Sequence, residues 1–198
     1  LDKDGFLVNA SNYNVTGFGA DAAGTIIPNV PVNLRLPTAD MTPKPTTSFM
    51  TGVNLDARVD HTDPDPDKRT FSTSGEVFDS FGNSHILSLS FEKTAASAWD
   101  VFATVEGVTS AGGGAVTLSA STLNFDSSGI MDSSITPFTV NVNFDDTSIQ
   151  PLQFSLDLTR STQFGSKFGV NMMSQDGFAS GRLAGYSISD NGEVRASY

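Results

Sequence analysis

Asp79, Ser84 and His85 lie close enough in sequence to suggest a nucleophile, its base and a carboxylate that orients the base. Ser84 and His85 are adjacent, however, at the entrance to an alternating stretch, and neighbouring side chains on a strand point to opposite faces. They then cannot share the short hydrogen bond that activates a hydroxyl, so the set reads as a structural turn. The other histidine, His61, sits in an Asp-rich loop without a second imidazole or a thiol nearby, which offers a transition metal poor ligands. Asp63, Asp65 and Asp67 alternate with Pro64 and Pro66, and closely spaced hard oxygens attract calcium. An EF-hand loop needs Gly at its sixth position and Glu at its twelfth, whereas this run continues Lys68-Arg69-Thr70-Phe71. A solvated loop is the expectation over 60–68, with calcium as the second reading.

Gly17, Gly19 and Gly24 have the wrong spacing for a dinucleotide fingerprint, and no Lys-Ser/Thr pair follows to make a P-loop. Asp145 and Asp146 invite comparison with glycoside hydrolysis, which needs an acid and a base facing each other across a cleft. Adjacent residues of a strand diverge instead. Tyr13, Phe18, Phe178 and Tyr186 could stack on sugars if exposed, but most of the 15 Phe belong in a core. No catalytic, cofactor-binding or metal site emerges from these residues.

The composition narrows the classes further. Lys and Arg number 11 against 22 Asp and Glu, and the net charge of -11 opposes a phosphate backbone or an anionic lipid surface. Nucleic acid and membrane are therefore excluded as expected partners, and free subunits repel one another. With no Cys, stability rests on packing alone. No stretch approaches the roughly 18 apolar residues of a membrane span, and no basic-then-apolar signal opens the chain. Because the sequence starts at Leu1 and not Met, a trimmed piece of a longer protein is expected.

The elements that position these residues show a period of two, which puts apolar side chains on one strand face. In 86–92, Leu87, Leu89 and Phe91 alternate with Ser88, Ser90 and Glu92. In 99–106, Trp99, Val101, Ala103 and Val105 alternate with polar residues, Phe102 excepted. The stretches 138–144 and 152–158 repeat the pattern with Phe138, Val140, Val142, Phe144 and Leu152, Phe154, Leu156, Leu158. Val32, Leu34 and Leu36 make a shorter example. These predict half-buried antiparallel strands. Asp2 to Gly5, Asp79 to Asn83, Asp126 to Gly129 and Asp190 to Gly192 separate apolar runs with Asp, Asn and Gly, the chemistry of hairpin connections. No helix competes, since 95–98 is too short to nucleate one.

Two loops mark boundaries, Pro37 to Thr47 and Asp60 to Lys68. An all-β fold of two small antiparallel domains, each like a barrel or sandwich, follows. The outer domain, 46–171, is expected as an insertion into an inner domain made of 1–45 and 172–198.

Several motifs together resemble the bacterial flagellar hook protein family. Leu1-Asp2-Lys3-Asp4-Gly5-Phe6-Leu7-Val8-Asn9, followed by Val15-Thr16-Gly17-Phe18, resembles the hairpin opening the inner domain of hook and rod proteins. Val77-Phe78-Asp79-Ser80-Phe81-Gly82-Asn83-Ser84-His85, its following strand and Trp99 resemble the outer domain of the hook subunit, which simple rod subunits lack. Leu156-Asp157-Leu158-Thr159, Ser161 to Gly165, Gln175 to Leu183 and Ile188 to Gly192 are similar to the return segment.

The resemblance implies a structural subunit, not an enzyme, without cofactors. It would be exported without a cleaved signal and assemble outside the cell, with copies of itself, into a curved tubular universal joint that carries motor torque to the filament. Rod, hook-cap and hook-filament junction proteins are the further partners it implies. Family members also carry terminal helical segments lining the tube, absent here, so the piece alone is not expected to polymerise normally. Pro43, Pro45, Ser174 and Gln175 are the expected inter-domain hinge. A β-sandwich binding module of a surface adhesin is the alternative from a different class, and a glycosidase-like enzyme the third.

Overall fold

The alternating stretches become strands in the computed structural model, which describes residues 1–21, 23–28, 30–36, 39–108, 115–118, 122–132 and 137–198. The described residues are nearly all β, with one 3-10 turn at Pro66–Lys68. They divide into two compact units, Leu1–Met41 with Gly181–Tyr198, and Thr42–Ser180.

The first unit holds two short antiparallel pairs. β1 (Thr16–Gly17) pairs with β2 (Val32–Asn33), and β12 (Gly185–Ile188) pairs with β13 (Val194–Ser197). Isolated bridges between Phe6 and Arg35, Val8 and Asn14, and Ala20 and Ile26 extend the first pair into a network of turns. The expected run of Val32, Leu34 and Leu36 is strand only at Val32 and Asn33, and Val32 is exposed. No second layer covers it within the described part of this unit.

The second unit contains the core. β3 (Ser48–Asn54), β4 (Thr70–Phe78), β5 (Ser84–Ala95), β6 (Ala98–Val105), β7 (Ala115–Leu118), β8 (Thr122–Asn124), β9 (Phe138–Asn143), β10 (Leu152–Asp157) and β11 (Gly169–Gln175) form two sheets. One has the order β4-β5-β6-β8, the other β11-β3-β10-β9-β7. Leu87, Leu89, Phe91, Trp99, Val101 and Val105 from the first sheet face Phe49, Val53, Phe138, Val140, Val142, Phe154 and Leu156 from the second in one buried cluster. Their polar neighbours face outward, as period-two alternation requires. Phe102, the residue that breaks the pattern, points out and is 51% exposed.

One pairing departs from the antiparallel expectation. β10 runs parallel to β3, with Ser155 opposite Ser48 and Asp157 opposite Met50. A parallel neighbour requires a crossover, and here the first sheet together with β7 and β9 supplies it.

The division between the units falls earlier than 45 on the outgoing chain and later than 172 on the returning one. Lys44 bridges Phe178, and β11 is hydrogen-bonded along β3 from Gly169 to Gln175. Those pairings tie 42–45 and 172–180 to the second unit. Pro37, at the start of the expected boundary loop, lies outside the described residues.

Candidate functional site

His85 leaves β5 beside the 79–83 turn. Its Nε2 lies 3.1 Å from Asp79 Oδ2, its Nδ1 lies 3.2 Å from the Glu106 carbonyl oxygen, and its ring leans on Phe144. Both ring nitrogens are engaged, so neither is available to a hydroxyl of Ser84, which pairs with Phe78 in the ladder. Asp79 is buried. Burial raises its pKa, but the side chains of Asn83 and His85 and the N–H groups of Asn83 and Phe81 outweigh that and hold it below the ordinary carboxylate value. The three residues form a hairpin brace.

The acidic loop resolves the same way. Asp63 Oδ1 accepts the Asp65 N–H, Asp65 Oδ1 accepts the Asp67 N–H, and Lys68 Nζ lies 3.5 Å from Asp63 and 3.8 Å from Asp65. The Asp63 and Asp65 carboxylates each cap a local turn, and among the described residues no group of three metal-ligating side chains converges, His61 included. Asp146 Oδ1 accepts both the backbone N–H and the hydroxyl of Ser148, which lowers its pKa, the opposite of what a general acid needs. Asp145 donates its backbone N–H to the Gly107 carbonyl. Gly17 pairs with Val32, and Gly24 occupies a turn, so neither forms a phosphate cradle with Gly19. Tyr13 and Phe18 are exposed in the first unit together with a half-buried Tyr186, whereas Phe178 belongs to the second.

The turns share one geometry. At Asp2, Asn9, Asp21, Asp79 and Asp126 the side-chain Oδ1 accepts the N–H groups two and four residues on. The residue three on has positive φ, from Gly5 (85°) and Gly82 (82°) to Asn12 (59°). Sequence reading found three of these turns and missed those at Asn9 and Asp21, although both carry the same four-residue spacing. The last turn starts one residue early, at Ser189, whose carbonyl accepts the Gly192 N–H.

The base of the second unit carries a clasp that the sequence reading did not single out. Asp176 Oδ1 accepts the N–H groups of Thr47 and Ser48 at 2.8 Å each, while Oδ2 accepts the Thr47 hydroxyl at 2.6 Å and Lys44 Nζ at 2.8 Å. Burial opposes ionisation of Asp176, but these four donors prevail and hold its pKa far below the usual carboxylate range. Gln175 Oε1 accepts the Gly177 N–H and the hydroxyl of the buried Thr46, whose oxygen in turn accepts the Phe78 N–H. A Cβ on Gly177 would stand 2.5 Å from Thr46 Oγ1. The four expected hinge residues all lie on this side of the division. Ser174 and Gln175 are in β11 opposite Met50 and Phe49, Pro43 abuts Gly82, and Pro45 precedes Thr46.

A second unforeseen feature is Lys93, which is 2% exposed. Its Nζ donates to the carbonyls of Ala57 at 2.7 Å and Val59 at 3.0 Å and lies 5.5 Å above the Trp99 ring. Desolvation lowers its pKa, and Asp56 and Asp60 partly offset that. Trp99 itself donates from Nε1 to Gln163 Oε1 at 2.7 Å.

The outward faces of the second unit's two sheets are mostly polar, although Ile86 and Phe102 are exposed there. On the β4-β5-β6 face, Ser72, Ser90 and Phe102 form one cross-strand row and Ser74, Ser88 and Thr104 the next. On the other sheet Asn141 and Gln153 bond across strands at 2.6 Å beside Thr139 and Ser155. Such faces hold few apolar anchors and many hydroxyl and amide groups. They suit wet contacts between folded subunits better than the enclosure of a small ligand.

Comparison with known proteins places the chain among relatives. The family described as flagellar basal body protein FlaE D2 domain matches residues 53–178. The flagellar hook protein FlgE of Rhizobium meliloti is 33% identical over 210 residues, covering 100% of this chain and 48% of that protein. That of Escherichia coli is 29% identical over 218 residues, covering 100% and 50%. The chain thus spans about half the length of the curated relatives it matches. The crystal structure of Helicobacter pylori flagellar hook protein FlgE2 aligns with a TM-score of 0.59 over 98% of this chain and 78% of that one, at 14% identity, and so shares the fold. Residues 53–178 make this chain a member of the FlaE D2 domain family, and the relatives that match its whole length are flagellar hook proteins.

Proposed function

We propose that this chain is the β-structured part of a flagellar hook subunit, which assembles outside the cell with copies of itself into a flexible tube transmitting torque from motor to filament. The single observation carrying this reading is the family match over 53–178 within relatives that align along the whole chain. Rod, hook-cap and hook-filament junction proteins complete the proposed partners. The polar outward rows support the mechanical role. A joint that bends while rotating needs subunit contacts that shift along the tube axis, and hydroxyl-rich, hydrated faces exchange partners at little cost. The limited hinge we propose is at Pro43, Pro45, Ser174 and Gln175, close to the chain crossings 41–42 and 180–181.

The test is complementation. The full gene product, expressed in a flagellated strain lacking its own hook subunit, should yield curved hooks by electron microscopy and restore swimming. An intact gene product that stays monomeric and binds glycans would favour the adhesin reading and overturn this one.

A further inference from the structure

Asn191-Gly192 is the one Asn-Gly pair in the sequence, and it lies in the connection of the β12-β13 hairpin with both residues exposed. The carboxamide carbon of an Asn, Cγ, is an electrophile within reach of the backbone nitrogen of the following residue, and joining the two closes a five-membered ring. A side chain on the following residue and a rigid backbone resist that closure. Gly192 has no Cβ, and its φ of 84° lies in the region that other residues avoid. In the closed turn its N–H donates to the Ser189 carbonyl at 2.8 Å, which withholds the nucleophile. Little keeps the turn closed, since β13 is exposed along its whole length and a two-stranded ribbon opens locally at small cost. Asn191 Oδ1 accepts the Ser189 hydroxyl and the Glu193 N–H, and these donors sit on the oxygen that takes up negative charge when nitrogen adds to Cγ. Asn83-Ser84 is the contrast. Asn83 Nδ2, the group that would leave, donates to the buried Asp79 carboxylate at 2.9 Å, and Ser84 is paired with Phe78 in the β4-β5 ladder.

We infer that Asn191 is a self-modification site, converted without an enzyme to aspartate and isoaspartate. Gly192 N gives up its proton and bonds to Asn191 Cγ, the Cγ–Nδ2 bond breaks, and the nitrogen departs with a proton as ammonia. Water then opens the cyclic imide at either carbonyl. Opening at Cγ leaves Asp, which keeps an oxygen acceptor for Ser189 and Glu193. Opening at the backbone carbonyl leaves isoaspartate, whose main chain runs through Cβ and Cγ and is one methylene longer. The turn sets the register that places Ile188 opposite Val194, so the isoaspartyl form loosens β12-β13 and adds a charge beside Asp190 and Glu193. The change accumulates with the age of the molecule and needs no partner, so it stands apart from the proposed hook role, which the complementation above decides.

Ageing the full gene product at mildly alkaline pH tests it. Trypsin releases 183–195 and 70–93 as peptides that each hold a single Asn, Asn191 and Asn83. The first should gain about 1 Da and become a substrate for enzymatic methylation of isoaspartyl carboxylates, while the second stays unchanged. Gly192→Ala should slow the gain about tenfold. Asn191→Gln, whose closure needs a six-membered ring, should abolish it. A 183–195 peptide that keeps its mass, a gain as fast in 70–93, or a rate indifferent to Gly192→Ala would overturn the inference.

Discussion

Asp176 satisfies two backbone N–H groups, a hydroxyl and an ammonium with one carboxylate. Because its folded pKa is depressed below the ordinary 3.8, the stability it contributes is complete above that value and is withdrawn as pH falls below it. Thermal unfolding followed from pH 6 down to about 2 should therefore show Tm falling steeply below about pH 4. Asp176→Asn should be less stable than the parent near neutrality and flatter across the acid limb; a parallel acid limb would assign the sensitivity elsewhere. Lys93 makes a complementary case. Lys93→Met keeps the stem but leaves the carbonyls of Ala57 and Val59 without their donor. The expected loss is about 1–3 kcal/mol, read as a lower urea midpoint, with faster amide exchange in 55–60.

Among the elements, Gly177 shows how tightly β11 and the start of β3 are clasped. Gly177→Ala drives a methyl into Thr46 Oγ1 and its N–H, and should cost about 1–3 kcal/mol in chemical denaturation. The strands with strict alternation, β5, β6, β9 and β10, were legible in the sequence because each has one face in the core. β4 was not, since Thr70-Phe71-Ser72-Thr73-Ser74-Gly75 offers few apolar residues, and its strand character comes from pairing with β5 along its whole length. β3 and β11 were hidden for a different reason. They are neighbours through pairings that span more than a hundred residues, and local pattern carries no trace of a partner that far away. The clasp was invisible on the same ground. The sequence marks Gln175 only as a hinge position, and the clasp takes shape once Lys44, Thr46 and Thr47 are brought beside Gln175, Asp176 and Gly177.

For the whole molecule, the two units differ in kind. The second has a buried apolar core between two sheets, and the first has turns and an exposed apolar groove. If bending of the tube comes from sliding between hydrated faces of neighbouring second units, cysteines placed to bridge two such faces should stiffen the polymer on oxidation. Persistence length measured from electron micrographs should rise severalfold over the reduced sample. Equal curvature fluctuations before and after oxidation would refute the sliding mechanism.

β3 lies between β11 and β10, both of which follow it by nearly the length of the unit. A polypeptide that leaves a narrow conduit from its N-terminal side therefore presents β3 still unpartnered, and the larger sheet cannot close until residues 152–175 have arrived. The hairpins of β4, β5 and β6 can form earlier, yet they have no opposing layer to dock on. The topology itself thus delays closure of the larger sheet until residues 152–175 have emerged, and up to that point a conduit would meet pliant chain.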